Sequence, residues 1–181
     1  MSRAHTILLV ASSVVALACA RGDTGDSSTP RDNGARNDSA FTALQQRGAD
    51  ARGMGVDQYT STHLFDALPD GGRIELQRGT NDLAATAQIR RHLREVSTAF
   101  AAGDFTTPVF VHAGDVPGTD VMAAKRGVIS YSVHDLPRGA ELRITTRDAD
   151  AIRAVHVFLA FQRDEHHAGG MGDAKHSHDA R

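Results

Sequence analysis

The sequence predicts an α+β domain: two ββα units forming a four-stranded antiparallel sheet with two helices packed on one face. Three observations predict it. Leu-Pro-x-Gly occurs twice, at Leu68 to Gly71 and Leu136 to Gly139, each time followed by an alternating strand, an acidic residue and a helical pattern. Arg73 to Gln77 and Val128 to Val133 alternate with the period of two that marks a half-buried strand. Ile89, Leu93, Val96 and Phe100, and later Ile152, Val155 and Leu159, recur at the helical spacing that makes one apolar stripe. Such a pair of units buries its apolar faces most simply as one sheet under two helices.

The chain is expected to start with an export signal. Arg3 supplies one positive charge, and Thr6 to Ala18 is almost wholly apolar or small, the form of a secretory leader and too short for a good membrane span. Cys19, the only cysteine, closes it after Ala16-Leu17-Ala18. That resembles a bacterial lipobox, so residues 1–19 are expected to be a lipoprotein-type signal with Cys19 as the lipid attachment. The resemblance is to a motif that prefers Leu one position earlier. Residues 20–53, rich in Gly, Asp, Ser, Asn and Arg, are expected to be a disordered tether, with a short helical turn at Phe41 to Gln46. The protein is therefore expected outside the cytoplasm, membrane-anchored through lipid.

The domain is expected over residues 54–168. Tyr59 to Phe65 reads as its first strand, Leu68 to Gly72 as a turn and Arg73 to Gln77 as the second strand. Asn81 and Asp82 cap a helix from Leu83 to about Phe100, stopped by Gly103-Asp104. A long connector, Phe105 to Arg126, carries a short helix from Asp120; ordered connectors of that length are often functional. Val128 to Val133 and Glu141 to Thr145 form the second hairpin, and Asp148 and Asp150 cap the closing helix, Ala151 to His167. The outer sheet face should be polar, carrying Arg73, Glu75, Ser130, Ser132, Glu141 and Arg143. Residues 169–181 are expected to be a disordered tail containing His176 and His178.

Composition excludes several functions. Net charge is −2 with scattered Lys and Arg, so no basic footprint for nucleic acid exists; Trp is absent and aromatics are 5%. A single cysteine excludes an internal disulfide. No Gly-x-Ser-x-Gly, phosphate-binding glycine loop or dinucleotide fingerprint is present, so transferase or hydrolase activity has no support and a non-enzyme is favoured.

The chemistry that remains is histidine. Ten are present, and His92 and His156 occupy corresponding places on the two apolar helix stripes, so a pseudo-twofold fold would bring both rings to one cleft. Neutral imidazole is the commonest side-chain metal ligand. His112 and Met122 of the connector, and His63 of the first strand, are the residues expected to complete such a site. A thioether favours copper, a carboxylate zinc, and haem also accepts axial histidine. His156 and His166 cannot share an ion on one helix, being about 15 Å apart at about 1.5 Å per residue. His166 and His167 read as a polar helix end and His134 as surface. The bland alternative makes each histidine structural, in an interaction domain that uses the polar sheet face or Val157, Phe158 and Phe161 of the last helix, as in a homodimer.

The chain also resembles a small family of uncharacterised exported bacterial proteins. The resemblance rests on Met54-Gly55, Thr62-His63, Arg91-His92-Leu93, Phe100-Ala-Ala-Gly-Asp-Phe105, His112, Pro117-Gly118, Met122, Ile129-Ser-Tyr131, His156 to Gln162 and Glu165-His166. It covers nearly the whole domain. Where the family has a second histidine after the strand-one histidine, this chain has Leu64. Some members carry a carbamoyltransferase name, but this chain lacks the Ser-Thr-Arg-Thr phosphate motif and the length for two domains. The resemblance implies export and no established activity.

Overall fold

The computed structural model describes residues 31–55 and 57–168. The expected signal with Cys19, the first part of the expected tether and the expected tail with His176 and His178 lie outside the described residues. Four strands, β1 (Ser61–Leu68), β2 (Gly71–Arg78), β3 (Ile129–Leu136) and β4 (Gly139–Thr146), form one antiparallel sheet in the order β1-β2-β4-β3. Each predicted hairpin is present, and the two join through their second strands, with Ile74 opposite Leu142 and Leu76 opposite Ala140. His63, Phe65, Ile74, Leu76, Leu142, Ile144 and Tyr131 share the inner face by strand alternation. The helices α2 (Leu83–Ala101) and α5 (Ala149–Glu165) pack on that face, placing Ile89, Leu93, Val155, Phe158 and Leu159 in the same core.

The repeated glycine has a steric cause. Gly71 and Gly139 open the two central strands, and each pairs across to the other strand, Gly71 with Thr145 and Gly139 with Gln77. A Cβ on Gly71 would stand 2.3 Å from the Ile144 carbonyl oxygen, and one on Gly139 1.8 Å from that of Leu76. Gly71 also has φ +136°, a conformation that side chains rarely adopt. The turn sequence is thus repeated because the same close approach of backbones is made twice.

Both helix starts are capped as expected. The Asp82 carboxylate accepts from the Ala85 N–H at 2.9 Å, and Asp148 accepts from the Asp150 and Ala151 N–H groups, each cap contributing about 1 kcal/mol. Asp148 is also held by Lys125 Nζ at 2.8 Å. The connector contains α4 (Thr119–Ala124), close to the expected turn of helix, and an unexpected α3 (Thr106–His112). The outer sheet face is polar as expected, with Arg73 over the buried Asp66 at 2.5 Å and near Glu75 and Glu141.

One expectation is corrected. Residues 31–49 of the tether form a helix, α1 (Arg31–Ala49), in which Leu44, Gln45 and Gly48 are buried. Its end is fixed to the domain by Arg47 Nε, which donates to the Val111 carbonyl at 2.6 Å. No helix among the described residues is long and apolar enough to cross a membrane.

Candidate functional site

Four histidines from four elements gather at the end of the sheet where β1 meets the last turn of α5. His63 faces inward because it alternates with Phe65 on β1. His166 follows Leu159 and Gln162 along one face of α5 and caps that helix; it is buried, like His63. The His63 and His166 ring centroids are 5.8 Å apart, and His112, the last residue of α3, stands 5.1 Å from His166 at nearly a right angle. His92, on α2, lines a cavity shared with His63 and His166. Over this cluster lies α1, with Phe41 stacked on His167 at 4.1 Å.

The rings are neutral at ordinary pH. Burial pushes His63 down to about 4, with neighbouring His92 adding to the effect, and burial alone brings His92 to about 4. Burial, then the nearby His63, His112 and His167, brings His166 to about 3. His112 is lowered by burial, opposed by its bond to Gln162. That bond, 3.1 Å from Nε2–H to the Gln162 Oε1 acceptor, leaves the lone pair on Nδ1. Nδ1 of His112 and Nε2 of Gln162 are buried with no hydrogen-bond partner among the described residues, a state that costs about 1–3 kcal/mol per group. His63 Nε2 lies 3.0 Å from Ser61 Oγ.

Beside the cluster is a cavity of about 90 Å³, walled largely by apolar side chains such as Met54, Phe65, Leu76, Leu93 and Val96. Its polar lining is His63, His92, Thr107, Gln162 and His166. Ligand pockets for drug-sized molecules run to about 300–1,000 Å³, well above this volume.

The structure brings together some of the residues expected to form a site and separates others. His63, His92 and His112 are in or beside the cluster. His156 is elsewhere: its Nε2 donates to the Leu68 carbonyl at 2.8 Å, the bonding of a structural histidine, so the His92 and His156 pair is not brought to one cleft. Met122 is fully buried in the core and does not line the cavity, whereas Met54 does. His134 is exposed beside Ser132. Sequence reasoning missed His166, whose only signal is its spacing behind Leu159 and Gln162. Phe158, expected on an exposed helix side, is in the core, and Phe161 packs on His112 at 4.8 Å; of that face Val157 alone is half exposed.

Among the described residues no three His, Cys, Asp or Glu side chains are already arranged to hold a metal ion. At metal–nitrogen distances of about 2.0–2.1 Å in a tetrahedral site, two imidazoles on one ion have centroids about 5 Å apart. The 5.1 Å and 5.8 Å separations therefore lie at and just above that spacing. Comparison with protein-family models, with curated proteins and with solved structures finds no match.

Proposed function

We propose that this chain is an exported, lipid-anchored domain that binds a transition-metal ion through imidazoles, with His166 central and His63 and His112 beside it. The observation that carries the reading is the series of three neutral rings from β1, α3 and α5, one of them presenting a buried lone pair without a partner. Neutral imidazole is the form that ligates zinc or copper. Binding would draw the rings together, His63 exchanging its Ser61 contact for the ion. A thioether biases a site toward copper; Met54, which lines the adjoining cavity, is the one to supply it rather than Met122. The apolar leader and Cys19 support export and anchoring, as does the resemblance to exported bacterial proteins.

The rival reading, an interaction domain, retains the polar sheet face but loses much of the apolar helix side, because Phe158 is in the core and Phe161 is partly buried against it. The test is metal content after purification without a histidine tag, for the natural chain, His166→Ala and His156→Ala. The proposal expects one equivalent in the natural chain and in His156→Ala, and a loss of at least tenfold in affinity in His166→Ala. Equal content in all three overturns it.

A further inference from the structure

We propose that the cavity beside the histidines is itself a binding site for a small, uncharged, largely apolar molecule of a few heavy atoms. Size is the first argument. About 90 Å³ is several times the about 10–15 Å³ that one water molecule needs, and far below a drug-sized pocket. Lining is the second. Leu76, Leu93, Val96, Val111 and Phe158 wall the space, and water is held only where it finds 2–4 polar partners. The polar side chains of the lining are His63, His92, Thr107, Gln162 and His166, which offer an occupant with one polar atom a hydrogen bond. Charge is the third argument. Among the described residues no acidic side chain, Lys or Arg lines the cavity, so no opposite charge there offsets the cost of desolvating an ion. Access is the fourth. His63 and His166 also line a surface depression with Phe41, Gln45 and Tyr59, so the cavity and the surface share these two rings.

The inference does not rest on the metal reading, and chelator-treated full-length protein separates the two. The experiment is a methyl NMR titration of that protein with 1-propanol, sodium propionate and 1-octanol. The expected result is saturable 1-propanol shifts at the Leu76, Leu93 and Val96 methyls, with propionate and octanol at least tenfold weaker. Val96→Ile and Val111→Ile, each adding a methylene to the wall, should weaken propanol binding at least threefold, and either variant suffices if the other does not fold. Three results overturn the proposal: propanol shifts that do not saturate, propionate binding as well as propanol, or unchanged affinity in a folded filling variant.

Discussion

Acid should unfold this domain in a window set by its histidines, before its carboxylates titrate. His63 and His92 are held near 4 and His166 near 3 by burial, whereas an unfolded chain titrates its imidazoles near 6.5. The folded values are depressed, so between these limits the unfolded state binds more protons and stability falls as pH falls. The contribution is complete above the unfolded value near 6.5 and is lost progressively toward 4. Going from pH 7.5 to 5 costs about 2 kcal/mol per buried histidine, at about 1.4 kcal/mol per pH unit below 6.5. Two such residues account for about 4 kcal/mol, comparable to the whole of a marginal domain's about 5–15 kcal/mol. Carboxylates act lower: Asp148, depressed by its Lys125 partner, contributes stability that is present above the ordinary carboxylate value of about 3.9 and lost below it. The assay is urea unfolding of chelator-treated protein by circular dichroism at half-unit pH steps. His166→Leu should remove one histidine's share of the slope. Constant stability from pH 7 to 5, or an undiminished slope in His166→Leu, would refute the reasoning.

Two further outcomes follow from the packing. His156→Ala should lower unfolding free energy by about 1–3 kcal/mol by leaving the Leu68 carbonyl without its donor, while metal content stays as in the natural chain. Gly139→Ala should cost more than about 4 kcal/mol, since its Cβ would meet the Leu76 carbonyl oxygen at 1.8 Å; soluble yield and thermal melting would show it, and a melting temperature near that of the natural chain would contradict the clash.

The architecture was legible because local signals agreed with one another. Alternation marked β2, β3 and β4, the β-branched and aromatic run Tyr59 to Phe65 marked β1, Asp82 and Asp148 marked both helix starts, and the repeated Leu-Pro-x-Gly marked the place where β2 and β4 touch. The site was only half legible. Its histidines come from β1, α2, α3 and α5, and nothing local says which residues of distant elements converge. His92 and His156 match in sequence position, yet a repeat fixes only the path of the backbone. Between the two copies the neighbours differ: His92 meets a cavity and His156 meets the Leu68 carbonyl. His156 and His166 are too far apart along one helix to share an ion, but the partners of His166 lie on other elements. Of the helix α1 only the turn Phe41 to Gln46 was legible, because its composition is polar on average, while Leu44 and Gly48 are buried and Arg47 reaches Val111.

The central claim is that His63, His112 and His166 act as one ligand set. Histidine-ring nitrogen NMR during zinc or copper(I) titration of the tag-free chain tests it most directly, since each ring reports separately. The prediction is that these three rings shift together and saturate at one equivalent, while His134 and His156 stay unchanged. Saturation without movement of His166, or shifts confined to the tail histidines His176 and His178, would contradict the account.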